Sequence, residues 1–161
     1  MAEKRNFDKW EPLIAAALVK KFEGVSLEAY LCPAGIPTIG FGHTHGVQLG
    51  TRIDPDQADR YLTLDLEYTA RALRSAVKVP VSRGEFIGLL SFAFNVGARN
   101  AAGSSVVKFL NAGKHEAAAR AFLLWNKVSK VETVNGEKVK RLVESKGLTN
   151  RRKAEAEAFL S

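Results

Sequence analysis

The residues best suited to chemistry lie in one short segment of the chain. Glu23, Cys32, Thr38 and His43 fall within 21 consecutive positions, and Cys32 is the only cysteine of the 161 residues. A carboxyl, a thiol, a hydroxyl and an imidazole are groups that enzymes use as general acids, general bases and nucleophiles. The segment therefore predicts a catalytic site, without yet specifying the reaction.

The elements around this segment are predicted to form one wall of a cleft. The apolar, Ala-rich run from Leu13 to Phe22 favours a helix, and Gly24 is suited to a left-handed turn that ends it. Glu23 would then occupy the last helical turn. Prolines and glycines at positions 33–37 exclude a helix, and the run from Thr38 to Gly42 is typical of a short twisted strand. A carboxylate at a helix end would thus face a glycine-rich hairpin.

The spacing of these residues carries a resemblance to a known family. Glu23 is followed by eight residues and Cys32, then by five residues and Thr38, and then by Ile-Gly-Phe-Gly-His ending at His43. This order resembles the active-site motif of the phage lysozyme (endolysin) family, glycoside hydrolase family 24, in which most members have Asp where this chain has Cys32. The resemblance implies an α+β lysozyme-like fold, mostly helical. A small N-terminal β-hairpin lobe and a larger helical lobe would flank a cleft.

The resemblance extends through the rest of the chain, from about residue 12 to residue 160. Residues 93–97 are similar to the family's Phe-Asn-x-Gly segment, and residues 147–155 match its Gly-Leu-x-x-Arg-Arg-x-x-Glu pattern. By this resemblance Asn95 contacts sugar hydroxyls and Arg151 lies beside the catalytic carboxyl. The whole chain, 1–161, is then expected to be a single lysozyme-like domain.

The implied reaction is cleavage of the β-1,4 bond between N-acetylmuramic acid and N-acetylglucosamine in peptidoglycan, causing lysis of a phage host. Such a cleavage needs a proton donor for the leaving oxygen and a second group for the developing oxocarbenium ion or the attacking water. Glu23, at an apolar helix end, suits the general acid. Cys32, as a thiolate, suits either a base or a nucleophile, so that inversion and retention both stay open. Thr38 is suited to holding the attacking water.

Two further residues are assigned to the site, with weaker arguments. His43 is interpreted as a hydrogen-bonded support of the site rather than as a proton carrier. Trp125 is interpreted as lining the cleft, with core packing as a nearly equal alternative. No cofactor and no metal are expected.

Local signals predict the remaining elements. Asp54 is a good N-cap with Pro55 at the first helical position and Gln57 reaching back from the third, and Ser82 with Glu85 forms a second capping box. The predicted elements are a long helix from 54 that Pro80 stops, a core helix at 82–97, helices at 105–111 and 115–125, an Asn-Gly hairpin at 131–139 and a last helix at 150–160.

Composition indicates a folded, basic protein. Hydrophobic residues make up 46% of the chain and the formal net charge is +7. Between Lys127 and Lys153 there are nine Lys or Arg and three Glu, which favours contact with anionic envelope polymers or lipids; solubility alone is the other interpretation. A monomer that does not bind nucleic acid is expected.

The apolar run from Leu13 to Val19 is too short to span a bilayer, so we expect no signal peptide or signal anchor. The protein would then reside in the host cytoplasm until lysis.

Three alternatives use the same residues differently. Cys32, His43 and Asn95 are the residue types of a Cys-His-Asn peptidase or amidase, but that reading explains neither Glu23 nor Thr38. A zinc site from Cys32, His43 and His45 fits no familiar ligand spacing. A basic nucleic-acid-binding module lacks interleaved aromatic residues and a helix-turn-helix signature.

Overall fold

The computed structural model describes residues 2–161 and consists of seven α-helices, three two-stranded antiparallel sheets and short 3-10 segments within that range. The helices are α1 (Ala16–Phe22), α2 (Pro55–Leu73), α3 (Arg83–Val96), α4 (Ala98–Ala102), α5 (Ser105–Asn111), α6 (His115–Ala121) and α7 (Lys146–Leu160). The strands are β1 (Lys4–Arg5), β2 (Ser26–Leu31), β3 (Pro37–Gly40), β4 (Val81–Ser82), β5 (Lys127–Val134) and β6 (Glu137–Glu144). The strands pair as β1 with β4, β2 with β3 and β5 with β6.

The architecture is the predicted α+β arrangement of a small hairpin lobe and a larger helical lobe. Strands β2 and β3 form the small lobe, and α2 runs from it to the helical lobe made by α3 to α7. The predicted cleft lies between them. None of the helices in residues 2–161 is both long enough and apolar enough to span a bilayer.

The first helix ends differently from the prediction. The chain enters it through a 3-10 turn, Pro12–Ala15, and leaves it at Glu23, whose backbone is extended with φ −91° and ψ 124°. Gly24 is not left-handed, so the predicted glycine cap was wrong. Glu23 is the residue at which the chain leaves α1. The direction of its side chain therefore depends on the extended backbone at this helix end.

The segment after the small hairpin turns sooner than predicted. Strand β3 ends at Gly40, and a tight turn follows in which Ile39 and His43 exchange two backbone hydrogen bonds of 2.9 Å. Gly40 and Gly42 both have positive φ, 64° and 82°, which a residue with a side chain rarely adopts. This turn brings Gly42 and His43 to the cleft.

The long helix α2 begins as predicted and ends early. The Asp54 carboxylate accepts the backbone N–H of Gln57 at 2.8 Å, with Pro55 at the first helical position. The Gln57 side chain instead accepts from Arg60, so the reciprocal half of the cap was wrongly predicted. The helix stops at Leu73, well before Pro80. A proline such as Pro80 therefore limits how far a helix can extend, but the helix can end before it.

Helix α3 is the centre of the core, and the capping box predicted at Ser82 is confirmed with both of its hydrogen bonds. Helices α3 and α7 pack unusually closely. A Cβ added to Gly84 would lie 2.3 Å from the carbonyl oxygen of Ala158, and one added to Gly88 would lie 2.5 Å from that of Glu155. Glycine disfavours a helix interior by about 1 kcal/mol relative to Ala, and here the absence of a side chain permits the close contact.

Aromatic side chains fill the space between α3, α7 and the segment after α6. Phe122 contacts Phe92 and Phe159 edge to face, with ring centroids 5.1 and 5.4 Å apart. Phe122 begins a 3-10 segment, Phe122–Trp125, so the helix predicted at 115–125 is α-helical only to Ala121. All three phenylalanines are at most 2% exposed, and such large apolar side chains contribute strongly to the hydrophobic core.

The last helix and the second hairpin are both longer than predicted. Helix α7 begins at Lys146, capped by the Ser145 hydroxyl, four residues before the predicted start. The predicted Asn-Gly turn is present, with Asn135 and Gly136 at φ 52° and 80°. The hairpin pairs continuously from Lys127 with Glu144 to Val134 with Glu137 and thus forms a ribbon, whereas the prediction covered only 131–139.

Shortening the outer ribbon is expected to cost little stability. Nearly every residue of β5 and β6 is exposed, so removing residues 132–134 and 137–139 and rejoining the strands through Asn135-Gly136 deletes few buried contacts. We expect the free energy of unfolding in urea to fall by less than ~1 kcal/mol, because surface loop length contributes little to stability. A loss several times larger would contradict an exposed ribbon.

Candidate active site

Glu23 lies in an open cleft of about 820 Å³ between the two lobes. The lining residues are Glu23, Gly42, His43, Thr44, His45, Leu64, Asp65, Glu67, Tyr68, Thr69, Arg71, Phe94 and Asn95. They come from the end of α1, the turn after β3, one face of α2 and the end of α3. The Glu23 side chain is 25% exposed, and a Cβ added to Gly42 would lie 4.0 Å from its Oε2.

Arg151 of α7 binds the carboxylate of Glu23. Its Nη1 donates to Glu23 Oε1 at 2.7 Å, although the two residues are 128 positions apart in sequence. The Arg151 side chain is only 4% exposed. The carboxylate is therefore held on one oxygen by a buried guanidinium, and its other oxygen lies near the backbone of Gly42.

On the side away from Glu23, Arg151 contacts a buried network of charged and polar side chains. Glu155 is fully buried and lies 3.0 Å from Arg151 Nε and 2.8 Å from Arg152 Nε, and it accepts from the Ser91 hydroxyl at 2.8 Å. Burial raises the pKa of the Glu155 carboxyl, and the adjacent Arg152 and Arg151 oppose that rise. Arg152 in turn donates to Asn95 Oδ1 at 2.6 Å. The network thus positions both a carboxylate and an amide of the cleft.

No role was predicted from the sequence for Ser91, Arg152 or Glu155. Phe159 is the buried apolar side chain of α7, whereas Ala154 and Ala158 are only partly buried. The other buried side chains of α7 are charged. The sequence does contain a signal for these ion pairs. Glu155 lies four positions after Arg151 and three after Arg152, the spacings that place side chains on one helix face.

Cys32 and Thr38 lie close together at the end of the small hairpin where residues 32–36 connect its two strands. Cys32 follows β2, is partly exposed, and donates its backbone N–H to Ile36 O at 3.0 Å. Hydrogen bonds from the backbone of Ile36 and Ala34 lower the pKa of the Cys32 thiol. Thr38 is 3% exposed and donates its hydroxyl to Ile36 O at 2.8 Å. Neither Cys32 nor Thr38 is among the residues that line the Glu23 cleft.

Comparisons with known proteins agree with this geometry. The family model described as Phage lysozyme matches residues 20–155. The chain is 35% identical over 144 residues to the endolysin of Acyrthosiphon pisum secondary endosymbiont phage 1, covering 89% of this chain and 93% of the relative. The chain belongs to the phage lysozyme family. It is accordingly a glycoside hydrolase of the lysozyme type.

Two solved structures show how far the likeness of this phage lysozyme family member extends. The endolysin from Escherichia coli O157:H7 phage FAHEc1 superposes with a TM-score of 0.77 at 38% identity, covering 100% of this chain and 97% of the other. The muramidase domain of SpmX from Asticaccaulis excentricus superposes with a TM-score of 0.81 at 32% identity, covering 91% of this chain and 95% of the other. Both likenesses span the hairpin lobe and the helical lobe, which confirms the predicted lysozyme-like fold.

In this lysozyme His43 makes the contacts of a supporting residue. Its Nδ1 lies 2.9 Å from Asp65 Oδ2, and its ring stacks on Tyr61 with centroids 4.1 Å apart. These contacts join the turn after β3 to α2. The imidazole is 8% exposed and the Asp65 carboxylate 29% exposed, so the pair is partly buried and contributes to holding the two elements together.

Trp125 makes aromatic contacts in the helical lobe. Its ring contacts Phe92 edge to face with centroids 5.6 Å apart, and it packs against the edge of the core. This packing favours the core interpretation of Trp125. Within residues 2–161 no group of three or more His, Cys, Asp or Glu has a geometry that could hold a metal ion.

Proposed function

We propose that this lysozyme hydrolyses the β-1,4 bond between N-acetylmuramic acid and N-acetylglucosamine of bacterial peptidoglycan. The observation that carries the proposal is a carboxylate in the interlobe cleft, Glu23, held on one oxygen by the buried Arg151. The relatives named above as endolysin and muramidase support the same substrate. Hydrolysis of this bond would weaken the wall and lyse a phage host.

Glu23 acts in this proposal as the general acid. Arg151 binds Oε1 at 2.7 Å, which leaves Oε2 to face the cleft near Gly42. A protonated Oε2 gives its proton to the glycosidic oxygen as the bond to the anomeric carbon breaks, and the departing sugar leaves with a new hydroxyl. The fixed guanidinium orients the carboxyl, so little reorganisation is needed at the moment of proton transfer.

Cys32 is the second group of the reaction. As a thiolate it takes a proton from water that attacks the anomeric carbon, or it attacks that carbon itself and is later displaced by water. The hydrogen bonds that lower the pKa of its thiol favour the thiolate that either route needs. The Thr38 hydroxyl gives its proton to Ile36 O, so its oxygen remains able to accept a hydrogen bond from the attacking water.

A Cys-His amidase is the second candidate, and the separation of its two side chains disfavours it. Such a mechanism needs a histidine that takes the proton of the thiol. The pairing of His43 Nδ1 with Asp65 leaves Nε2 to take such a proton, so the mechanism depends on whether the imidazole reaches the thiol. No hydrogen bond between His43 and Cys32 exists in the described residues 2–161.

Mass spectrometry of digested peptidoglycan tests the reaction directly. A muramidase releases muropeptides that end in a reducing N-acetylmuramic acid with the peptide still attached. An amidase would instead release free peptides without new reducing ends, and a glucosaminidase would leave N-acetylglucosamine at the reducing end. Either of these two product patterns would overturn the proposal.

Substitutions of Cys32 are expected to separate its proposed role from a structural one. Cys32→Ala should lower kcat about a hundredfold, the lower range for removing a general base. Cys32→Asp should keep substantial activity and extend the pH profile toward acid. A carboxylate ionises near ~4 and a free thiol near ~8.5; the local hydrogen bonds lower the thiol pKa, but we expect it to stay above that of Asp.

The readout is release of reducing ends from purified peptidoglycan between pH 4 and 9. Iodoacetamide should inactivate the wild type and leave Cys32→Asp unaffected, because only the thiol is alkylated. Cys32→Ser, a small polar side chain that is not ionised in this range, is the matched control and should resemble Cys32→Ala. An inactive Asp variant beside an active wild type would contradict the proposed role of Cys32.

The location and surface contacts of the enzyme are also proposals. We propose that it acts as a monomer and reaches the wall from the host cytoplasm at lysis. Lys138 and Lys140 of β6 lie on the same face of the ribbon. Their cross-strand partners on β5 are Thr133 and Val131. These cations would draw the enzyme to anionic wall polymers or lipid headgroups.

A further inference from the structure

One wall of the cleft carries apolar side chains that are exposed rather than packed in the hydrophobic core. Tyr68 is 71% exposed and Leu64 is 57% exposed, and both lie on the part of α2 that lines the Glu23 cleft. They are four residues apart, the spacing at which helical side chains lie side by side. They therefore form a neighbouring pair, an aromatic ring and an aliphatic chain, inside a concave site.

Core packing does not account for this pair. The buried stripe of α2 consists of Ala58, Leu62, Leu66, Ala70 and Leu73, on another face of the helix. Tyr61, one helical turn before Leu64, has a packing partner, because its ring stacks on His43. The rings of Tyr61 and Tyr68 thus differ: one supports the site, and the other lies open toward the cleft.

The surroundings of Tyr68 have the composition of a sugar-binding site. Glu67 and Arg71 line the same cleft beside it, and Asn95 lies in the lining with its amide held by Arg152. Pyranose rings offer an apolar C–H face and a rim of hydroxyl and amide groups. An aromatic ring binds the face, while carboxylate, guanidinium and amide groups hydrogen-bond to the rim.

We propose that Tyr68 and Leu64 form a sugar-binding subsite that holds the glycan strand by the face of a pyranose ring, away from the bond that reacts. This inference rests on the proposed muramidase function and adds to it a binding role for α2. Since the ring touches a sugar that does not react, it stabilises the bound substrate and the transition state alike. Its loss should therefore raise KM and leave kcat nearly unchanged.

The test compares Tyr68→Ala, Tyr68→Phe and the wild type on soluble glycan strands prepared from peptidoglycan. Tyr68→Ala should raise KM about tenfold, equivalent to ~1.4 kcal/mol. Tyr68→Phe, which keeps the ring and removes the hydroxyl, should stay within about twofold of the wild type. Leu124→Ala removes an apolar side chain that is 70% exposed but outside the cleft, and serves as the matched control with no change expected.

Binding measured without turnover separates this inference from the proposed reaction. Isothermal titration of the same glycan strands into Glu23→Gln and into Glu23→Gln/Tyr68→Ala should give dissociation constants about tenfold apart. If the wild type releases no reducing ends, the proposed function fails, while this titration still measures the subsite. An unchanged KM and an unchanged dissociation constant for Tyr68→Ala would overturn the subsite. So would an equal loss for Tyr68→Phe, because that result would assign the effect to the hydroxyl.

Discussion

Glu23→Gln is expected to fold like the wild type and to lower kcat on the order of 10³-fold, within the range for removing a general acid. The amide is isosteric with the carboxyl but has no proton to give to the leaving oxygen. Its oxygen can still accept from Arg151, which binds Oε1 at 2.7 Å in the wild type. The melting temperature should therefore change little, and the measurement is release of reducing ends beside a thermal unfolding curve.

A matched substitution controls for loss of a negative charge near the small hairpin. Glu28 of β2 is 63% exposed at its side chain and pairs loosely with Arg52 at 3.4 Å. Glu28→Gln should keep activity within about twofold, because an exposed ion pair contributes at most ~1 kcal/mol. Near wild-type activity of Glu23→Gln would remove the muramidase mechanism proposed for this cleft.

Glu155→Gln is expected to lower the free energy of unfolding by about 3–5 kcal/mol, the cost of leaving a buried charge without its partner. Glu155 is fully buried and contacts Arg151 and Arg152 at 3.0 and 2.8 Å, and Arg152 is itself 0% exposed. The neutral amide leaves the Arg152 guanidinium out of water without a carboxylate partner, and Arg151 keeps only Glu23. Urea unfolding followed by circular dichroism gives the number.

Glu157→Gln on the same helix is the control, since that residue is exposed and its change should stay within ~0.5 kcal/mol. The double variant Glu155→Leu/Arg152→Met should recover part of the loss, because an apolar pair of similar volume needs no compensation for burial. A loss below ~1 kcal/mol for Glu155→Gln would contradict the view that the network depends on this carboxylate.

Local chemistry was sufficient to predict many of the element boundaries. Ser82 and Asp54 each cap a helix because their side-chain oxygens accept from backbone N–H groups three residues ahead. The Asn135-Gly136 turn follows from the positive φ that both positions need. The spacing of Glu23, Cys32 and Thr38 carried the resemblance to the family. All these signals act within a few residues, so the sequence expresses them directly.

The features that the sequence did not predict depend on contacts between segments that are distant in the chain. Helix α2 ends at Leu73, although nothing before Pro80 forbids it to continue. The burial of Arg152 and Glu155 follows from the close packing of α3 and α7, which Gly84 and Gly88 permit. Charged residues on a terminal helix are ordinarily solvated, and only a partner on another element makes their burial favourable.

The sequence by itself determined the kind of fold, the helix caps and the chemical groups available at positions 23, 32 and 38. Only the tertiary structure decided which atoms join Arg151 to Glu23, that Arg152 and Glu155 are buried beside this pair, and that the ring of Tyr68 lies open in the cleft. The physical reason is distance along the chain. Hydrogen bonds of caps and turns close over three or four residues, whereas the ion pair of Glu23 closes over 128 and depends on every element packed between them.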